Sequence, residues 1–193
     1  MPSNDEEIML DEAAEIIKQG GVVIAPTEGV YGFSCAFDNE AAIERILQIK
    51  GRAAAKGLIT ACSSVQQVLS LIESDKVPDK TLSLMHQLWP GPHTFVLPCR
   101  ECYQGLLTGF RPTIALRVSG FKLLQALCEK AGKPLVSTSV NLSGRAPISS
   151  IEEAKEQFAG QVDYIITAPC QGLSGPTSIY DGLTGQVLRQ GGS

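Results

Sequence analysis

Histidine is almost absent from this chain: His86 and His93 are the only two in 193 residues. A Ser-His-Asp relay therefore has few options, and an H-E-x-x-H zinc helix is excluded. The phosphate loop G-x-x-x-x-G-K-[ST] and the dinucleotide fingerprint G-x-G-x-x-G are also missing, as is the G-x-S-x-G nucleophile elbow. No apolar run approaches the ~20 residues of a spanning helix. The amino-terminal acids Asp5, Glu6 and Glu7 have the wrong sign for a secretory n-region, so a soluble, cytoplasmic protein with no membrane partner is expected. Repeats, low-complexity tracts and linkers are lacking too, which favours a single domain over residues 1–193. The six cysteines are scattered except for Cys99-Arg-Glu-Cys102. A zinc site would need two more ligands in register, so no metal site is assigned. The thiols are read as small buried or incidental groups, reduced in the cytosol.

What is present is an ordinary globular complement: 44 % hydrophobic and 19 % charged residues. The net charge of −4 argues against a protein that coats nucleic acid. That average hides an asymmetry. Between residues 80 and 150 eight basic residues face only Glu101 and Glu129, while six acids crowd the first fifteen positions. A positive middle in a negative protein suits a local anion site.

Apolar spacing predicts a helix over 8–19, stopped by Gly20-Gly21, then a buried strand Val22–Ala25 ended by Pro26. Asn39 caps a second helix that ends near Lys50-Gly51. Leu58–Thr60 is the next strand. Two helices follow, one through Val65–Ile72 and one opened by Pro78. Strands are predicted at Thr94–Leu97 and Thr113–Val118, a helix closed by Gly132, and a strand at Leu135-Val136. A helix capped by Ser149 or Ser150, a strand Val162–Ile166 and a terminal hairpin complete the pattern. Interleaved strands and helices with a late hairpin imply an α/β fold with a mixed sheet.

Polar clusters stand at the ends of these strands, where open α/β sheets bind ligands. They are Pro26–Gly32, Ser137–Gly144 and Ser174–Ser178. A further cluster, Lys50-Gly51-Arg52 with Lys56, places three cations within seven residues with no acid among them. It reads equally as a phosphate grip or as a solvated helix end. Along Thr113–Val118, alternation puts Thr113, Ala115 and Arg117 on one face. Arg117 on an otherwise apolar strand needs a partner. The scarcity of nearby acids points to a ligand carboxylate. Hydroxyl donors and fixed cations without an obvious nucleophile suit phosphoryl or nucleotidyl chemistry.

In order along the chain stand Pro26-Thr27-Glu28-x-x-Tyr31-Gly32, Lys50-x-Arg52, Trp89-Pro90-Gly91-Pro92-x-Thr94, Thr113-x-Ala115-x-Arg117, Ser137-x-Ser139-x-Asn141-x-Ser143-Gly144 and Thr177-Ser178-Ile179-x-Asp181 with Leu188-Arg189. Together they resemble the YrdC/TsaC family of threonylcarbamoyl-AMP synthases, in its short single-domain bacterial form, over nearly the whole chain. The resemblance implies a twisted mixed sheet with a concave, positively lined cavity. It implies that L-threonine, bicarbonate or CO2, and ATP give threonylcarbamoyl-AMP and pyrophosphate, for threonylcarbamoyladenosine formation in tRNA by separate downstream transfer proteins.

By the same resemblance Lys50, Arg52, Lys56 and Arg189 hold the triphosphate, with Lys50 and Arg52 the catalytic pair. Thr113, Ser139 and Asn141 contact nucleotide. Arg117 pairs with threonine's carboxylate, and Thr27, Ser137 and Thr177 lie near the amino acid. ATP is a substrate, Mg2+ is expected to arrive with it, and no tightly bound cofactor is implied. Gly29 stands where many relatives have a second threonine; Ala61 stands near a histidine of the longer relatives, and Lys56 where those often have asparagine, although short bacterial forms commonly carry lysine. The rival reading is a non-enzymatic module of the same fold that binds tRNA or double-stranded RNA through the basic middle. The charge balance and scarce aromatics oppose it. A role in hydrogenase maturation would call for a much longer chain.

Overall fold

The computed structural model describes residues 3–192. Helix α1 (Asn4–Lys18) begins earlier than apolar spacing predicts, because Ser3 and Glu6 form a reciprocal capping box. Strand β1 (Val23–Pro26) includes the proline, and β2 (Tyr31–Ser34) pairs with it antiparallel. The sequence reading treated Tyr31-Gly32 as loop; both residues are strand. Helix α2 (Glu40–Lys50) has its Asn39 side chain accepting from the Ala42 amide, and Gly51 ends it in the left-handed conformation at φ 58°.

Next come β3 (Ile59–Cys62), α3 (Val65–Leu71), α4 (Asp79–Leu88), β4 (His93–Pro98), β5 (Thr113–Val118) and α5 (Lys122–Ala131). The remaining elements are β6 (Leu135–Val136), β7 (Thr138–Ser139), α6 (Ile151–Phe158), β8 (Tyr164–Ile165), β9 (Ser178–Asp181) and β10 (Val187–Arg189).

The strands divide between two mixed sheets, ordered β7-β2-β1-β8 and β10-β9-β4-β5-β3-β6. The sequence reading expected one. The missed strand pairs, β2 with β7, explain the difference: β7 is two residues long, too short to show alternation. Chain 135–139 stitches the sheets together. Leu135 and Val136 pair with β3 in one sheet, and Thr138 and Ser139 pair with β2 in the other. Ser137 is the joint between them, its amide donating to the Ile59 carbonyl at 2.8 Å.

One apolar cluster joins β2, β3, β4 and β5 to α2, α3 and α6; a second packs α1 and α5 on the other side. Phe33, Phe95, Leu97, Ile114 and Leu116 are fully enclosed in the first. Burying a side chain of this kind contributes about 1.5–3 kcal/mol. The faces of β5 and β7 that carry Arg117 and Ser139 are turned toward the seam between the sheets.

Candidate active site

At that seam lies a small polar lobe, and a larger one adjoins it over the six-stranded sheet. The small lobe, about 100 Å³, is walled by the loop after β1, by Arg117, by Ser137–Ser139 and by Gly175–Thr177. The larger, about 280 Å³, has an apolar floor of Val96, Leu107, Ala115 and Ile179 and a rim of Lys56, Arg111 and Thr113. Arg52, Ile59 and Arg189 line both. Of the residues named from sequence, Thr27, Arg52, Arg117, Ser137, Ser139, Thr177 and Arg189 border the small lobe, and Lys56 and Thr113 the large one.

Three of the arginines are held by backbone carbonyls. Arg52 donates through Nε and Nη2 to the Gly57 carbonyl, and Arg189 does the same to the Thr177 carbonyl, with Nη2 at 3.1 and 2.8 Å. Arg111 Nη2 reaches the Ala55 carbonyl at 2.7 Å. Among the described residues none of these three pairs with a carboxylate. Burial lowers the Arg52 pKa, and Arg111 lowers it further; burial, Arg117 and Arg52 lower that of Arg189. Like charges gathered without counter-ions leave a standing deficit of negative charge.

Arg117 is different. It is almost fully buried, and its Nη2 lies 3.4 Å from Glu28 Oε2 and donates to Ser137 Oγ at 3.2 Å. Glu28 in turn accepts from the Ser119 hydroxyl at 2.7 Å. The sequence reading turned to a ligand carboxylate because acids are scarce near residue 117. The partner comes instead from the β1 loop, 89 positions earlier in the chain. Arg117 still faces the small lobe, and its Nε has no hydrogen-bond partner.

Lys50 and Asn141 do not line either lobe. Lys50 is buried with its ammonium spent on one loop: it donates to the Ser139 carbonyl, to the Asn141 carbonyl at 3.2 Å and to Asn141 Oδ1 at 2.8 Å. Ser139 Oγ donates to the same Oδ1 at 2.7 Å. Lys50 and Asn141 thus brace the wall that carries Ser139. Burial and the neighbouring Arg52 push Lys50 down to about 8.

Three participants escaped the sequence reading. Arg111 was counted in the basic middle but given no role. Glu28 stood inside the Pro26–Gly32 cluster unassigned. Thr94, buried in β4, shares a 3.1 Å hydroxyl hydrogen bond with Thr177 and fixes it from behind. The P-G-P-x-T segment carried that last signal. Among the described residues no carboxylate lines the cavity, and no three His, Cys, Asp or Glu side chains gather for a metal.

A cavity of hydroxyls and unneutralised guanidinium groups at the joint of two mixed sheets defines a class of anion-handling α/β proteins. The family model Sua5/YciO/YrdC, described as "Telomere recombination", matches residues 15–191, and the chain belongs to that family. It is 41 % identical over 182 residues to a threonylcarbamoyl-AMP synthase of Vibrio vulnificus, covering 94 % of this chain and 98 % of that one.

Among solved structures it is similar to P. abyssi Sua5 complexed with L-threonine, at 32 % identity and a TM-score of 0.87 over 94 % of this chain. This chain spans 54 % of that longer protein. It is also similar to E. coli YciO, at 30 % identity and a TM-score of 0.84, covering all of this chain and 93 % of that one.

Proposed function

We propose that this chain is a nucleotidyltransferase that forms L-threonylcarbamoyl-AMP and pyrophosphate from L-threonine, bicarbonate or CO2, and ATP, the activity named for its Vibrio relative. The observation that carries the reading is the shared wall: Arg52 and Arg189 border both a small polar lobe and a larger one with an apolar floor. The small lobe suits an amino acid, the apolar floor suits a nucleobase, and the cations between them suit phosphates.

Threonine's amine combines with CO2 to give a carbamate, whose oxygen attacks the α-phosphorus of ATP and expels pyrophosphate. Two anions must approach, so the fixed guanidinium groups do most of the work. Arg52 and Arg189 stand where the reactants meet. Lys56 and Arg111 extend the positive rim toward the departing phosphates, and Thr113 faces the nucleotide. Arg117 faces threonine's carboxylate, with Thr27, Ser137 and Thr177 around the amino acid. Lys50 and Asn141 act through Ser139, by holding its loop. Magnesium enters as part of the ATP substrate.

No described helix is long and apolar enough to cross a membrane. The enzyme's product would pass to separate proteins that transfer the threonylcarbamoyl group to tRNA.

The test is incubation with ATP, bicarbonate and labelled threonine. A labile labelled adenylate and equimolar pyrophosphate are expected. Arg52→Ala should lower threonine-dependent pyrophosphate release by about 100-fold with the circular dichroism spectrum unchanged. Wild-type turnover in that variant would refute the role of Arg52.

A further inference from the structure

Gly29 and Gly175 meet at the edge of the small lobe, closer than any other residue at position 29 would permit. A Cβ at Gly29 would lie 2.1 Å from the Gly175 carbonyl oxygen and 3.1 Å from that of Leu173. Both obstacles are backbone, so no rotamer change relieves them. The φ of Gly29 is not positive; glycine is required here by space and not by conformation.

The segment 171–176 is tied down on both sides. Gln171 N donates to the Thr27 carbonyl at 3.1 Å and Leu173 N to that of Glu28 at 3.0 Å. On the far side Gly192 N donates to the Pro176 carbonyl at 3.0 Å, and a Cβ at Gly192 would lie 2.4 Å from Gly175 N. The segment is wedged between the β1 loop and the last residues of the chain. Where another residue type would place its Cβ, this chain places a peptide.

We propose that Gly29 is a specificity-determining residue: bearing no side chain, it lets segment 171–176 close on the β1 loop and caps the amino-acid lobe at a size that takes threonine and refuses longer side chains. The inference rests on the reading that this lobe binds the amino acid. Any side chain at position 29 must push the segment outward and lengthen the lobe.

Gly29→Ala and Gly29→Thr test this by steady-state pyrophosphate release with threonine, leucine and methionine, alongside thermal unfolding. In Gly29→Ala the threonine KM should rise about tenfold and the ATP KM stay within about twofold. The leucine-to-threonine ratio of kcat/KM should rise about fivefold or more, and further in Gly29→Thr. A general loss of folding would lower the apparent kcat for every substrate alike and leave both KM values and the ratio alone. An unchanged ratio in folded Gly29→Ala, with wild-type threonine turnover intact, overturns the inference and spares the functional reading. Wild-type protein without threonine-dependent pyrophosphate release overturns both. If neither variant folds, the wild-type profile decides: leucine and methionine below about one tenth of the threonine kcat/KM support the cap, and higher values overturn it.

Discussion

Arg117 and Glu28 show how much one residue pair can carry. Both are buried, and each is the other's charge partner. Removing either leaves an uncompensated charge in a low-dielectric seam, which costs about 3–5 kcal/mol. Arg117→Ala and Glu28→Ala should each lower the urea midpoint accordingly, and the double variant should lose clearly less than the two together. Arg117→Ala should also raise the threonine KM; an unchanged KM would count against its contact with the carboxylate. The thiols divide in the same local way. Cys102 is exposed and Cys170 half-buried, while Cys35, Cys62, Cys99 and Cys128 are buried. Alkylation of the folded protein, followed by mass spectrometry, should label Cys102 first and spare Cys35, Cys62 and Cys128 until unfolding.

At the scale of elements, α2 and chain 135–141 decide where the cations stand. Helix α2 is capped by Asn39 and stopped by a left-handed Gly51, so its last turn delivers Lys50 inward and Arg52 to the cavity. Asn39→Ala should cost about 1 kcal/mol in chemical denaturation. Lys50→Ala and Arg52→Ala should both lose activity, for separable reasons. The first strands the acceptors on residues 139 and 141 and should cost about 1–3 kcal/mol of stability; the second should leave the unfolding midpoint nearly unchanged. Equal midpoints for the two variants would show that Lys50 is no brace. The Lys50-x-Arg52 spacing was legible as a pair of cations, but a spacing of two says nothing of which one ends in the cavity. The Asn39 cap and the 137–144 loop, which lie outside that pair, make the division.

For the molecule as a whole, pH acts through what the core encloses. Burial pushes Cys35 and Cys128 up to about 12 and Cys99 up to about 11. Thiols that stay protonated when folded but ionise near ~8.5 when unfolded make the folded state the greater proton binder. Their contribution is complete below that pH and is lost as pH rises toward the folded values. Lys50 works the other way. At about 8 when folded it binds fewer protons than the unfolded side chain above that pH, so it favours folding as pH rises toward 10.5. Several thiols outweigh one amine, so the melting temperature should fall between pH 8.5 and 10 in calorimetry. The fall should be steeper in Lys50→Met and shallower in Cys128→Ala.

Periodicity, caps and punctuating residues determined most helices and the longer strands, because these follow from interactions within a few residues. The chain's own letters also marked the polar clusters and ruled out the common nucleophile and phosphate-loop chemistries. Only the tertiary structure split the strands into two sheets, since a two-residue strand leaves no alternation to read. Only it brought Glu28 to Arg117, turned Lys50 away from the cavity and laid Gly175 on Gly29. Those outcomes depend on residues far apart in the chain meeting at a seam, and their stabilities come from shared desolvation and packing that no local window contains.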